Sequence, residues 1–401
     1  MTTARICFLS CKINSGNGAG QSIMSSNKTI FKHSFMRSFT SRQIFPAALI
    51  TAMLWLSFSC NSAEQKFEAT QNDSTVVVSF VKQESQHKVD VLMDGKLFTS
   101  YCWPDSVYKP ILYPVLNAAG VAITRGYPLQ PRAGERSDHR HQVGIWLNYG
   151  NVNGYDFWGN GAEGERQVKL GAVKHLSIES TKGGDGEGTL RAKASWVDSS
   201  GRELLAESST YRFIADGTTR IIDRITVLTA TGDKVDFADT KEGFLGMRVA
   251  RQLELPSDEE LTLLDAQGLP TKIKALSNEG ITGNYRSSEG ATGADVWGTR
   301  ARWMDLYGSI GDEKVSVVIC DHPGNINYPT YWHARGYGLF AANPFGVKDF
   351  TKGADSLNYS IPAGQSLTLK YRFIISSGQQ LTDEAINNYA DAFAKKYEQQ
   401  Q

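Results

Sequence analysis

The pattern of apolar and polar positions after residue 74 is that of short strands separated by turns. Two apolar runs, 89–93 and 96–101, flank Asp94-Gly95, and an Asp-Gly pair in this setting predicts a β-hairpin. Similar runs between Gly, Asp and Ser turns predict further strands at 75–81, 190–197, 203–214, 219–228, 315–320 and 366–375. With no βαβ alternation in the chain, this spacing predicts an all-β sandwich or barrel.

One helix is predicted near the end of the chain. Thr382 or Asp383 can cap its first turn, Ile386 and Phe393 lie on one apolar face, and Lys395 complements the dipole in the last turn. We expect the helix to pack on the outside of the sandwich. Because no Pro/Ser linker divides residues 74–401, they are predicted to form a single β-rich domain.

The first part of the chain has a different composition. Residues 1–35 have no apolar period, which indicates a disordered or non-native extension, since Met36 makes a better signal start. Residues 36–60 read as a lipoprotein signal peptide with Cys60 as the lipidated residue, because the apolar run of 14 residues at 45–58 is shorter than the roughly 20 that span a membrane. A plain secretory signal and a short anchor are the alternatives.

Residues 61–73 then predict a tether, and the protein is expected in the cell envelope, lipid-anchored and facing the periplasm or the outside. The formal net charge is +0, so no basic field favours nucleic acid as a partner. Cys102 and Cys320 follow Cys60 in the chain, and they either pair or stay as two buried thiols.

The first candidate site is Asp138-His139-Arg140-His141. In an extended backbone His139 and His141 point the same way, as a metal site or an acid/base site requires. The segment that follows is rich in rings and amides, which suit stacking on sugar and directed hydrogen bonds. The candidate ligand-binding residues in that segment are Asn148, Asn153, Tyr155 and Trp158.

The second candidate site is Asp321-His322-Pro323, directly after the predicted strand 315–320. Aromatic and charged side chains follow it closely, and we predict that both clusters form one site. The second cluster contributes the candidate acid/base groups Asp321, His322 and His333 to this site. It also contributes the candidate binding residues Tyr331, Trp332 and Arg335. The alternative is a polar loop with structural contacts.

Further candidates lie between the clusters. Glu242, beside a glycine, is either a general base or an ordinary solvated charge. Arg300 and Arg302 share a face if extended and then suit a uronate or sulfate, or else form surface ion pairs. A divalent metal is possible but not required, because the His-x-His spacing is weakly specific; its ligands would be His139, His141 and His322.

Taken together, motifs of both clusters resemble the bacterial "methane oxygenase PmoA"-type proteins, a family of unknown function, over residues 109–373. The motifs are Tyr113-Pro-Val-Leu-Asn, Asp138-His-Arg-His, Gly144-Ile-Trp, Asn153-Gly-Tyr-Asp-Phe-Trp, Glu242-Gly-Phe-Leu-Gly-Met-Arg, Trp297-Gly-Thr-Arg-Ala-Arg-Trp, Asp321-His-Pro and Pro329-Thr-Tyr-Trp-His-Ala-Arg-Gly-Tyr. The usual first motif of that family is Asp-His-Pro-His-His-Arg-Gly. Arg140, Gln142 and Val143 depart from it here, which weakens a three-histidine metal site.

The resemblance implies a β-rich exported protein, and three functions follow as hypotheses. The first is a carbohydrate-active or carbohydrate-binding protein on a large mutarotase-like supersandwich, with a glycan or sugar as its ligand. The second is a metal-dependent oxygenase, as the family label suggests, although methane oxidation is not expected from a chain without an apolar run of 18 residues after residue 60. The third is a non-catalytic binding or structural lipoprotein.

Overall fold

The computed structural model describes residues 75–159, 169–273 and 278–398. The predicted extension, the signal peptide with Cys60 and the tether lie outside these ranges. The described residues belong to one compact unit. Within the described residues, no helix is both long enough and apolar enough to cross a membrane.

Strands dominate the described residues. In chain order they are β1 (Val77–Gln83), β2 (Lys88–Met93), β3 (Lys96–Cys102), β4 (Ile111–Val115), β5 (Ile145–Tyr149), β6 (Tyr155–Asp156), β7 (Lys169–Leu170), β8 (Ala172–Lys182), β9 (Gly184–Asp185), β10 (Glu187–Val197), β11 (Glu203–Asp216), β12 (Thr219–Ala230), β13 (Val235–Phe237), β14 (Gly243–Arg248), β15 (Leu261–Leu264), β16 (Pro270–Ile273), β17 (Asn284–Ser287), β18 (Trp303–Ile310), β19 (Glu313–Asp321), β20 (Tyr331–Ala334), β21 (Leu339–Asn343), β22 (Tyr359–Ile361) and β23 (Ser366–Ile375). The helical segments are α1 (Val347–Phe350), α2 (Asp383–Tyr397) and the 3-10 turns Glu84–Gln86, Arg251–Leu253 and Gly293–Val296.

Two large antiparallel sheets contain most of the described strands. The nine-stranded sheet has the order β20-β21-β14-β5-β4-β3-β2-β1-β9, and the eight-stranded sheet has the order β17-β18-β19-β23-β12-β11-β10-β8. The pairs β13-β22, β15-β16 and β6-β7 form small separate sheets. The sequence prediction of a large all-β sandwich with a C-terminal helix is confirmed.

The main core lies between the two sheets. Alternation directs Leu147 and Met247 of the nine-stranded sheet, and Phe213 and Phe373 of the eight-stranded sheet, into one buried cluster. Arg224 of β12 also lies inside the sandwich, at a position where the alternation of the strand would place an apolar side chain. Arg224 donates a 3.0 Å hydrogen bond to Glu207, so the two charges are buried as a pair.

The outer face of each sheet carries its own smaller cluster. On the eight-stranded sheet, Trp303, Val318 and Ile374 pack against Ile386 and Phe393 of α2. On the nine-stranded sheet, a second outer cluster forms around Trp146, Trp158 and Leu339. These two outer clusters lie on opposite sides of the sandwich core, and they separate the candidate site residues into two groups.

The hairpin and the helix match their sequence signals closely. Asp94 and Gly95 both have positive φ, of 49° and 73°, and they join β2 to β3. Thr382 is the N-cap of α2, because its hydroxyl accepts a 3.2 Å hydrogen bond from the backbone N–H of Ala385. The predicted position of α2 outside the sandwich is also correct.

Candidate functional site

The candidate site lies on the outer face of the nine-stranded sheet, where a row of four residues crosses four strands. Trp146 of β5 pairs with Gly246 of β14, which pairs with Ala341 of β21, which pairs with His333 of β20. Gly246 is required here, because a Cβ at this position would lie 2.6 Å from the Trp146 ring. Two small residues therefore separate a tryptophan from a histidine, and loops carrying the polar groups pack over this row.

Asp138 is the electrostatic centre of these loops. Its Oδ1 accepts 2.7 Å hydrogen bonds from both Arg125 and Arg248, whose side chains are fully buried. Burial disfavours the charged carboxylate, but Arg248, the hydrogen bond from His139 and Arg125 hold the pKa of Asp138 well below its usual range. Asp138 is therefore a fixed anion between two guanidiniums at neutral pH.

His139 lies beside this anion and is the more accessible histidine of the pair. Its Nδ1 is 3.1 Å from Oδ2 of Asp138, and its side chain is 36% exposed. The ring stacks on Tyr337 with centroids 4.8 Å apart and planes 3° from parallel. Tyr337 also lies under the guanidinium of Arg248, 4.9 Å from its ring centroid. The imidazole is thus oriented by a carboxylate and by a ring.

The predicted extended backbone at His139 and His141 is wrong. His139 has φ of 42°, and the N–H of Gln142 bonds to the carbonyl of His139 at 2.9 Å, so the chain turns here. The two rings still meet, because the turn brings them edge to face with centroids 5.7 Å apart. The two rings are therefore close because the chain turns, and not because side chains alternate along a strand.

His141 is buried and stays neutral. Burial and the nearby charge of Lys109 lower the pKa of His141 to about 2. Lys109 is itself buried, and its Nζ donates a 2.6 Å hydrogen bond to the carbonyl of His141 and lies 5.2 Å from the centroid of the Trp146 ring. Burial lowers the pKa of Lys109 to about 7. We assign both side chains to the support of the loop that presents His139.

Glu242 and His333 lie at the other end of the row. Glu242 forms a 2.6 Å ion pair with Lys241 and is one-third exposed. Burial lowers the pKa of His333 to about 4, although the nearby Glu242 opposes this shift. Asp156 is a further carboxylate in this group, since burial and Glu242 raise its pKa. Its Oδ1 accepts hydrogen bonds from the backbone of Trp158 and Gly159, which fixes the turn after β6.

Two cavities of about 340 Å³ each border the loop of Asp138. One is lined by Ser137, Asp138 and residues of β15, and the other by Trp297, Arg335 and Tyr337. Arg136 and Glu259 line both. This volume is at the lower end of small-molecule pockets, which range over about 300–1,000 Å³.

Asp321 and His322 lie elsewhere, so the prediction that both clusters form one site is wrong for this pair, whereas His333 and Arg335 of the second cluster do lie near the Asp138 loop. Oδ1 of Asp321 accepts a 2.7 Å hydrogen bond from Asn325, and Oδ2 accepts a 2.8 Å bond from the backbone N–H of Thr330, which orders the loop after β19. His322 lies 3.2 Å from the Ala394 carbonyl of α2 through Nε2, and its ring packs on Phe393. His322 also lines a separate cavity of about 690 Å³ between this loop and α2.

The two arginines predicted to hold an anion are also engaged in structure. Arg300 donates to the carbonyls of Asn327 and Pro329 at 3.0 and 2.8 Å, while Arg302 forms a 2.5 Å ion pair with Asp391 of α2. The two side chains therefore fix different segments. Arg335, the third arginine that was predicted to bind a ligand, lines a cavity together with Arg136 and Tyr337.

The predicted aromatic and amide ligands divide in a similar way. Trp332 is wholly buried and donates to the carbonyl of Ala301, so it cannot stack on a ligand. Trp158 is 2% exposed and packs on Trp146. The remaining members form local contacts: Asn148 donates to the carbonyl of Phe157, Asn153 accepts from the backbone N–H of Asp236 in β13, Tyr155 lies under Lys169, and Tyr331 stacks on Phe350.

The proposed metal ligands do not converge. His322 is on the eight-stranded sheet, whereas His139 and His141 are beside Lys109, Arg125 and Arg248, whose positive charges oppose cation binding. In the three described ranges, no group of three or more His, Cys, Asp or Glu side chains has a geometry suited to a metal ion.

The cations beneath the site were not predicted from the sequence. Lys109, Arg125 and Arg136 are buried in or beside apolar segments. An isolated basic residue next to an apolar run is a signal of a buried cation, as in Lys109 before β4. The partner of such a cation comes from a distant segment, and the sequence does not reveal it.

Comparison with known proteins identifies the family. Residues 88–391 match the family of unknown function DUF6807. The chain belongs to this family. No curated protein matches it.

Several solved structures resemble this family member weakly. A GH36 alpha-galactosidase, AgaB, from Geobacillus stearothermophilus is 10% identical with a TM-score of 0.33, over 75% of this chain and 41% of that chain. A putative aldose 1-epimerase from Escherichia coli K12 is 12% identical (TM-score 0.27), and a galactose mutarotase-like protein from Clostridium acetobutylicum is 9% identical (TM-score 0.29). Each of these two matches covers 75% of this chain and 99% of the other. The assignment of the fold class rests on the two sheets described above.

Proposed function

We propose that this DUF6807 protein binds a glycan or sugar in the cavity bordered by Trp297, Arg335 and Tyr337. The observation that carries the proposal is that two aromatic rings and a guanidinium line one cavity of about 340 Å³, with the ionised Asp138 and His139 behind Tyr337. Rings that stack on C–H faces, combined with directed polar groups, suit a sugar.

We further propose that, if the bound sugar is turned over, His139 is the acid/base group. Nδ1 of His139 lies 3.1 Å from Oδ2 of Asp138, so the carboxylate faces this side of the ring and Nε2 is the nitrogen left to exchange a proton with a ligand. A carboxylate that orients an imidazole in this way is a common device in general acid/base catalysis.

A glycan array followed by a thermal-shift screen tests the binding proposal. We expect at least one sugar to raise the melting temperature of the full chain, and Trp297→Ala to abolish this rise. Trp103→Ala, at a ring that stacks on His175 beside a different cavity, is the control variant and should retain the response. A complete lack of sugar response in the wild type rejects the proposal.

We also propose that the protein is exported and lipid-anchored through Cys60, and that it is related to the PmoA-type proteins whose motifs it resembles. Support for the anchor is the basic and apolar pattern of residues 36–60. Cys60→Ser should move the protein from the membrane fraction to the soluble fraction. A mature N-terminus before Cys60, read by mass spectrometry, contradicts the anchor.

A further inference from the structure

Arg335 is an exposed cation that the fold holds in place without a carboxylate. Its guanidinium lies 5.7 Å from the ring centroid of Trp297 and 5.9 Å from that of Tyr337. Its backbone closes the turn before β21, since its N–H donates to Leu339 at 2.7 Å. Among the ion pairs of residues 75–159, 169–273 and 278–398, none includes Arg335. A guanidinium fixed by two rings is pre-organised to bind an oxyanion.

The layer beneath the cavity is also cationic. Arg136 lines the cavity and donates a 2.7 Å hydrogen bond to the buried Glu254, which is shared with a second arginine at 2.6 Å. Together with the pair at Asp138, two carboxylates of this layer each contact two guanidiniums: Asp138 contacts Arg125 and Arg248, and Glu254 contacts Arg136 and Arg251.

The guanidiniums of this layer lie close to one another. Arg125 and Arg248 share one carboxylate oxygen of Asp138, and burial, followed by the neighbouring Arg248, lowers the pKa of Arg125. The exposed Glu259 borders the cavity and offsets part of the field from the outside. An anion that enters the cavity would be attracted by Arg335 and Arg136, which line it.

We propose that the ligand is an anionic sugar whose carboxylate or sulfate group pairs with Arg335 while its ring stacks on Trp297. This inference rests on the proposed sugar-binding function and narrows it to one chemical class. Nε1 of Trp297 has no acceptor among the described residues, so the indole has an unused donor beside the cavity that its ring lines. The contact to a uronate or sulfate, which the sequence predicted for Arg300 and Arg302, is therefore assigned to Arg335 instead.

The test compares anionic with neutral oligosaccharides on the full chain by isothermal titration calorimetry. The anionic set is oligogalacturonate, oligoalginate, glucuronoxylan oligosaccharides and chondroitin sulfate; the neutral set is methyl-esterified oligogalacturonate, galactan, xylan and glucan oligosaccharides. We expect a member of the anionic set to bind, and Arg335→Gln to weaken that binding by about 10- to 100-fold, the range expected for a hydrogen bond between charged groups.

Two further variants isolate the role of the guanidinium. Arg335→Lys keeps the charge but loses the planar fork, so we expect an intermediate affinity. Arg191→Gln removes an equal charge from an exposed position on β10 and should leave the affinity unchanged.

The outcomes separate the two proposals. Binding of neutral sugars with no binding of the anionic set overturns the inference but leaves the sugar-binding function intact. Equal affinity of the wild type and Arg335→Gln for an anionic sugar also overturns it. If no sugar of either set binds, the sugar-binding function itself is wrong.

Discussion

At the residue scale, Asp138 neutralises two guanidiniums that have no access to water. Replacing Asp138 with Asn removes the carboxylate that pairs with the buried Arg125 and leaves the buried Arg248 with Glu254 at 4.0 Å. Breaking a buried ion pair costs about 3–5 kcal/mol. Because Asp138 is one-third exposed, we expect a loss of about 2–3 kcal/mol in the free energy of unfolding, measured by chemical denaturation.

The control for this prediction is Asp105→Asn, because the side chain of Asp105 is 94% exposed. We expect this control to change stability by less than about 0.5 kcal/mol. The stabilisation from Asp138 also has a pH dependence with a definite sign. Its pKa is depressed in the folded state, so the stabilisation is present above the usual Asp pKa of about 3.9 and is lost as the pH falls below it. Equal acid sensitivity of the wild type and Asp138→Asn would contradict this account.

His333 gives a second prediction at the same scale. Its pKa is lowered from about 6.5 to about 4, so the unfolded chain takes up a proton on acidification before the folded chain does. Stability is therefore full above pH 6.5 and falls as the pH drops toward 4. Between pH 7 and pH 5 the fall due to His333 is about 2 kcal/mol.

We expect the pH-dependent loss of stability to be smaller by this amount in His333→Gln, measured by urea denaturation at both pH values. His87→Gln, at a side chain that is 43% exposed, is the matched control. The same loss in the wild type and in His333→Gln would show that His333 does not resist protonation.

Which residues carry chemistry was predictable from the sequence only in part. The Asp138 segment and Arg335 were found from their residue types, and both border the candidate cavities. Asp321 and His322 have the same composition, yet Asp321 orders a loop, and His322 contacts α2 beside a cavity far from Asp138. Composition does not show which polar groups meet in one site, because groups that order a loop and groups that bind a ligand need the same hydrogen-bonding atoms.

At the element scale, α2 covers the outer face of the eight-stranded sheet, and one large ring of the helix is buried in this contact. Phe393 is wholly buried and contacts His322 and the guanidinium of Arg372. We expect Phe393→Ala to lower the free energy of unfolding by about 3–5 kcal/mol, since it opens a cavity under the helix. Lys396→Ala, on the exposed side of α2, should change it by less than about 0.5 kcal/mol. Hydrogen exchange of α2 that stays unchanged in Phe393→Ala would argue against this role of the ring.

Elements with a local signal were predictable, and elements defined by distant contacts were not. The β2–β3 hairpin and α2 follow from a turn pair and a cap, which are local features. In contrast, β20 forms from residues whose polar and aromatic sequence is typical of a loop. It alternates Trp332 inward with Tyr331 and His333 outward, and only its pairing with β21 reveals it as a strand.

At the scale of the whole molecule, the sandwich divides the chain into two outer surfaces with different uses. One surface carries the charged layer and the two cavities near Asp138, and the other is covered by α2, which borders a separate cavity of about 690 Å³. The long-range pairing that creates this division joins segments far apart in the chain, such as β12 with β23. Alternation predicted the sandwich, but it does not specify which strands are neighbours.

The two cysteines of the sandwich follow this division and give a prediction for the whole molecule. Cys102 and Cys320 are both free and buried, and they belong to the outer clusters of different sheets, so the core separates them. The alternative of two separate buried thiols is therefore correct. Burial raises the pKa of each thiol to about 12, and both stay protonated and unreactive in the folded protein.

We expect a thiol-alkylating reagent to leave both cysteines unmodified in the native full chain and to modify both in denaturant, as mapped by peptide mass spectrometry. Because both thiols depend on the same sandwich, they should become reactive together as urea is raised. Phe393→Ala tests this coupling, since it opens only the cluster that contains Cys320. If the sheets unfold as one unit, the variant exposes both thiols at a lower urea concentration; exposure of Cys320 alone would show that the two outer surfaces unfold independently.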